Sequence, residues 1–186
     1  MALRKILTEP NKLLREKSLT VEGGVDEDLQ KLMDDMLETM YAAPGIGLAA
    51  IQVGVPKRVI VLDIGWRDKS ESTNDEKQVT RKNPMYFVNP EIITKSTNNS
   101  TYEEGCLSVP GQFAEIDRPD KCHLKYLDYY GRPKELVAEG VLATCIQHEM
   151  DHLEGILFID YLSKLKKSMI VKKLTKQKEQ LDRIVI

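Results

Sequence analysis

Leu29, Leu32, Met33, Met36, Leu37, Met40 and Tyr41 recur on one stripe of a 3.6-residue period, which predicts an amphipathic helix. Asp26 or Asp28 is placed to cap its start, and Pro44-Gly45 to end it. After "GIGLAAIQVGVP", the β-branched run "KRVIVLD" reads as a buried strand. Residues 67–83 are almost wholly polar and lack a period, which predicts an exposed loop. Strand patterns resume at "MYFVNPEIITKS" and at "KCHLKYLDYYGRPKEL", with Asp128 to Pro133 as a hairpin turn region. "NNST", Asn98 to Thr101, reads as a polar turn, and "YEEGCLSVPG", with Gly105 and Pro110-Gly111, as an irregular segment. A second helix opens at Glu139 or Gly140 and ends near Gly155. The last helix, from about Ser163, has an apolar stripe at Leu162, Leu165, Met169, Ile170, Leu174 and Leu181, with lysines elsewhere.

Length and composition fit one soluble domain over residues 1–186, ending in that basic helix (about 163–186). No apolar run approaches the roughly 20 residues of a membrane span. The N-terminal stretch breaks its apolar residues with charges and Pro10, so no secretory core is expected and a cytoplasmic location is. Three cysteines in such a chain point to thiols that are free or bound to metal. Net charge is −2, which suggests neither nucleic acid nor membrane. Residues 161–186, however, carry seven Lys and one Arg against Glu179 and Asp182, a net +6, so the last helix is either a solvated face or a surface for a polyanion.

"QHEMDHLEG", Gln147 to Gly155, places His148 and His152 one helical turn apart, able to share an ion, with Glu149 between them. HExxH leaves the reaction open until the other ligands are known. No histidine follows His152, and alternation in "KCHLKY" sends His123 and Lys125 to the face opposite Cys122 and Leu124. His123 therefore reads as a surface residue, and Cys122 as core. The direction of Glu154 is open. A thiolate is the better third ligand, and Cys106 is its best source, because Cys145 shares the helix of the histidines and three ligands from one helix make poor tetrahedral geometry. Cys145 reads as a small apolar residue beside the site.

"GIGLAAIQ" (45–52), "EGCLS" (104–108) and "QHEMDHLEG" (147–155) together resemble, in order, the signature blocks of the peptide deformylase family, over essentially the whole chain. The resemblance implies an α+β fold: antiparallel sheets around a central HExxH helix, with an N-terminal amphipathic helix and a C-terminal helix. It implies removal of formyl, released as formate, from the N-terminal formylmethionine of new polypeptides. Cys106, His148 and His152 become ligands of one divalent metal, Fe(II) in cells, with Ni(II), Co(II) or Zn(II) able to substitute. Glu149 becomes the general acid and base, and the Gln52 amide and Leu107 backbone N–H the oxyanion donors. Ile46-Gly47 and Gly105 would pair with the peptide backbone. Ile46, Tyr102, Val141, Thr144, Cys145 and His148 would line an apolar pocket for the first side chain. Arg118 and Asp151 would clamp the metal helix, and the basic tail becomes a candidate ribosome contact of a monomer.

Three features depart from that pattern. Phe113 stands where related bacterial enzymes often have Arg, Thr144 puts a hydroxyl where an aliphatic residue is common, and the 67–83 loop is longer than in compact members. "GIGLAA" also matches G-x-G-x-x-A, but a helix precedes it and "QVGVP" follows, whereas a dinucleotide site needs a strand before and a helix after. Two rivals remain. One is a peptidase of ordinary amide bonds, which needs neither "EGCLS" nor "GIGLAAIQ"; the other is a metal-stabilised binding module, which has no use for Glu149.

Overall fold

The computed structural model describes residues 2–65 and 82–184, with side chains to residue 180. The predicted 67–83 loop therefore lies outside the described residues except for Lys82 and Asn83. Among the described residues three α-helices and seven strands follow in the order α1 (Glu27–Ala42), β1 (Gly47–Ala49), β2 (Val59–Leu62), β3 (Met85–Lys95), β4 (Asn99–Cys106), β5 (Val109–Pro119), β6 (Lys121–Leu127), β7 (Pro133–Glu139), α2 (Gly140–Leu153) and α3 (Lys164–Ile184). The fold is α+β, with every ladder antiparallel. Five strands form one sheet in the order β1-β2-β3-β6-β7, and β4 with β5 forms a separate hairpin.

Asp26 caps α1, its side chain accepting from Leu29 N–H at 2.8 Å. The helix lays Leu29, Leu32, Met33, Met36 and Met40 on Val59, Val61 and Val88 at one face of the large sheet. On the other face, Ile60, Leu62, Phe87, Cys122 and Leu124 pack against Ala143, Ile146 and Leu153 of α2. All four residues of β2 are buried because it is covered on both sides, which is why its sequence is a continuous apolar run. The sheet and hairpin thus leave α2 at the centre, with its histidine-bearing turns facing the β4–β5 hairpin.

Two expectations need correction. Asn99 to Thr101 are strand, not turn, and the segment around Cys106 is the end of a regular β4 paired to β5, with an irregularity only between Gly105 and Cys106. Its residues are mostly polar on both faces, so no hydrophobic alternation announces it. In α3, Leu174 is buried and Ile170 and Val171 pack beside it against Leu157, Phe158 and Ile159. Leu165 and Met169, expected on that stripe, are 72% and 63% exposed, because the helix rests on this small cluster rather than on the main core. Among the described residues no helix is long and apolar enough to cross a membrane.

Candidate active site

Helix α2 is held at both ends. Glu139 precedes it in extended backbone, and a positive-φ Gly155 ends it, with Gly155 N–H donating to His152 C=O and Ile156 N–H to Asp151 C=O. That paired arrangement satisfies carbonyls left over by the last turn. A Cβ at Gly155 would collide with the Arg15 carbonyl, so this turn admits only glycine without displacing backbone. The last two turns then present His148 and His152, both buried, to Cys106 at the end of β4.

Ligand atoms of Cys106, His148 and His152 all lie within 4.8 Å of one another, and Cys106 Sγ is 3.2 Å from His152 Nε2. One thiol and two imidazoles so close, on elements fixed by a strand and a helix, fit a single soft-to-borderline divalent ion. His148 Nδ1 faces Glu104 Oε2 at 2.7 Å, which leaves its Nε2 for the ion. Burial and the neighbouring His148 hold His152 well below the usual histidine range, so it is the neutral form that a metal needs. For His148, burial works downward but Cys106 and Glu104 outweigh it and raise the ring.

Glu104 receives Arg118 through two nitrogens, at 2.5 and 3.0 Å. Burial alone would raise the Glu104 carboxyl, but His148 and Arg118 hold it below the usual range. Arg118 also donates to Asp151 Oδ2 at 2.8 Å, and Tyr161 donates to the same oxygen at 2.8 Å. The expected Arg118–Asp151 pair is thus one link of a chain from Tyr161 to His148. Glu104 itself went unassigned in the sequence. Had residues 99–106 been read as a strand, period two would have put Glu104 on the face of Cys106.

Glu149 is buried. Burial pushes its carboxyl up to about 7, with His148 opposing and Glu104 reinforcing the shift. Its Oε2 has no hydrogen-bond partner among the described residues. A Cβ on Gly47 would collide with Glu149 Oε1 and come 2.7 Å from Leu62, so glycine at 47 is what admits the carboxylate. Gln52 sits in a short turn after β1. Its Oε1 accepts from Ala49 N–H at 2.7 Å, which turns Nε2 toward Ser108 Oγ at 3.0 Å and Cys106 Sγ at 3.6 Å. Ser108, given no role of its own in the sequence reading, therefore positions this amide together with Ala49.

A cleft of about 560 Å³ opens over these groups. Ile46, Gly47, Gln52, Tyr102, Gly105, Cys106, Leu107, Val141, Thr144, Cys145, His148 and Glu149, every sequence-predicted site residue except the buried His152, line it. Gly45 packs on Leu107, where a Cβ would meet the leucine at 2.8 Å, so the "GIGLAA" and "EGCLS" segments touch across the cleft. Burial pushes the Cys145 thiol up to about 12, in keeping with an inert wall residue. His123 lies away from the cleft and faces Glu135 at 2.9 Å. Glu154 turns outward to Arg58 and Lys17, at 2.6 and 2.8 Å.

A model of the polypeptide deformylase family matches residues 3–168. The chain is 63% identical to the peptide deformylase of Pelagibacter ubique (strain HTCC1062), covering 100% of both. It is 56% identical to that of Maricaulis maris (strain MCS10), covering 98% of each. Among solved structures, the peptide deformylase of Ehrlichia chaffeensis in complex with actinonin is 42% identical, with a TM-score of 0.84, 95% of this chain and 98% of that one covered.

Proposed function

Because the chain belongs to the peptide deformylase family, metalloenzymes that remove the N-formyl group from nascent polypeptides, we propose that Cys106, His148 and His152 hold its one divalent metal and Glu149 moves its protons. The observation that carries this reading is the enclosed Glu149 carboxyl, raised to about 7 beside a three-ligand cluster at the floor of the cleft. A structural metal site has no use for such a group.

When bound, the ion supplies a Lewis acid that polarises the formyl oxygen and acidifies water. Glu149, with its raised carboxyl, takes a proton from the attacking water and returns one to the leaving amine near neutral pH. The Gln52 amide, oriented by Ala49 and Ser108, and the Leu107 backbone N–H donate to the oxyanion that develops on the formyl oxygen as water adds to the carbon. Ile46-Gly47 and Gly105 offer backbone to an extended peptide, while Tyr102, Val141, Thr144 and Cys145 surround its first side chain. A flexible methionine suits that apolar space.

The metal is Fe(II) in cells, with Ni(II), Co(II) or Zn(II) accepted by the same thiolate and imidazoles. The enzyme acts in the cytoplasm as a monomer. Its basic α3 is the surface for ribosomal RNA, supported by seven lysines on residues 161–186. To test the site, metal content and formate release from formyl-Met-Ala-Ser are measured for wild type and Cys106→Ala. One metal per chain and rapid release in wild type, with both lost in the variant, are expected. Full metal content in the variant overturns the ligand set, and cleavage of unformylated peptides by wild type favours the peptidase.

A further inference from the structure

Leu7 N–H donates to Gln52 C=O at 2.7 Å, and Glu9 N–H to Ser108 C=O at 2.8 Å. Two donors two residues apart therefore tie together the backbones of Gln52 and Ser108, which stand 56 positions apart in the chain. The side chains of the same two residues meet as well, Gln52 Nε2 donating to Ser108 Oγ at 3.0 Å, and Ser108 N–H faces the Cys106 sulfur at 3.4 Å. Both residues are buried, Ser108 completely. The direction of the Gln52 amide is thus inherited from how residues 7–9 hold the two backbones. None of residues 7–9 lines the cleft, so this strap reaches the reaction only through Gln52 and Ser108.

What holds the strap is Arg15. Its Nη2 donates to Glu9 Oε1 at 3.1 Å and its Nη1 to Asp160 Oδ2 at 2.5 Å, while its backbone carbonyl lies against Gly155, where α2 ends. A planar guanidinium reaches two carboxylates at fixed angles, which a lysine cannot. Glu9 is 8% exposed, and its Oε2 is buried with no hydrogen-bond partner among the described residues. A buried ion pair with an unmatched oxygen is a poor source of stability, since desolvation offsets much of the attraction. Its effect lies rather in geometry: Glu9, and the N–H that it extends to Ser108, are left one position to occupy.

We propose that Arg15 is a positioning residue for the oxyanion donor: through Glu9 it locks the 7–9 strap against Gln52 and Ser108, so that the Gln52 amide is aimed before a formyl group arrives. The inference rests on the deformylase reading of the cleft and on Gln52 as a donor within it. An Arg15 that only braced the fold would lower stability without acting through residue 52.

The test is a double-mutant cycle on formate release from formyl-Met-Ala-Ser, with wild type, Arg15→Ala, Gln52→Ala and the double variant compared at matched metal content. Arg15→Ala is expected to lower kcat about tenfold, part of the about hundredfold that follows outright loss of an oxyanion donor, with KM within about twofold. In the Gln52→Ala background the same replacement should change kcat by less than about twofold. Arg15→Lys, which reaches one carboxylate at a time, should regain part of the loss, and it carries the cycle alone if Arg15→Ala does not fold. An equal loss of kcat with and without the Gln52 amide, or no loss from either Arg15 variant, overturns the positioning role and leaves the site reading intact. A Gln52→Ala enzyme as fast as wild type overturns the donor and the positioning role together. No turnover of any formylated peptide by metal-loaded wild type overturns the deformylase reading itself.

Discussion

At the scale of single residues, Thr144 shows how a departure in sequence is absorbed by geometry. Its hydroxyl is buried and has no partner among the described residues, so the apolar pocket costs the protein an unmade hydrogen bond. Thr144→Val keeps the shape and removes that cost, and its thermal midpoint should rise, by about 1 kcal/mol of stability. An unchanged or lower midpoint would mean that the hydroxyl is satisfied, for instance by water. Gly47 makes the opposite case, since glycine alone leaves room for the Glu149 carboxylate. Gly47→Ala should fold but displace that carboxylate, cutting kcat by about a hundredfold; kinetics at saturating substrate beside a thermal melt separate this from unfolding. The cluster of Cys106, His148 and His152 was legible because its chemistry is local: two histidines one turn apart, and one thiol in a glycine-flanked block. Glu104 and Ser108 were not, because each acts through a partner 44 or 56 residues away in the chain.

At the scale of elements, what sequence pattern could and could not reveal follows from what each element buries. Helix α1 and strand β2 read clearly because each presents a continuous apolar surface to the large sheet or lies within it. The β6–β7 hairpin read equally well, as Asp128 accepts from Tyr130 and Arg132 N–H to close its turn. Strand β4 escaped because its side chains are mostly polar and its order comes from pairing to β5 rather than from burial. The short turn Phe158–Tyr161, which joins α2 to α3, depends on Asp160. That carboxylate accepts from Leu157 N–H at 2.8 Å and pairs with Arg15 at 2.5 Å and Lys167 at 2.6 Å. Burial would raise its pKa, but the Leu157 N–H and the Lys167 and Arg15 charges hold it below the usual aspartate value. A depressed carboxylate contributes stability above its unfolded pKa of about 3.9 and loses it as pH falls through the folded value. Asp160→Asn should therefore cost about 1 kcal/mol at pH 7, discounted for partial exposure, and little once pH has fallen below the depressed folded value. Denaturant melts of both proteins at several pH values would show this, and a pH-independent difference would contradict it.

At the scale of the whole molecule, the large sheet, its two covering helices and the β4–β5 hairpin converge on one cleft, and three blocks far apart in sequence become its walls and floor. The α+β class came with the resemblance of the three sequence blocks to the family, whereas the division into a five-stranded sheet and a separate hairpin was not legible, since strand pairing is a non-local choice. Charge is divided too: residues 161–186 carry a net +6 on a chain of net −2. With long-range attraction to a polyanion screened by salt, removing residues 164–186 should weaken co-pelleting with ribosomes at low salt, and equal pelleting would sink the contact. The central claim, that Glu149 moves protons beside a Cys106-His148-His152 metal, is tested most directly by formate release from formyl-Met-Ala-Ser. Anaerobically prepared wild type and Glu149→Ala are compared at matched metal content. Retained metal with release lowered by at least about a hundredfold in the variant is the predicted result. Near wild-type release from a fully metallated Glu149→Ala enzyme would contradict it.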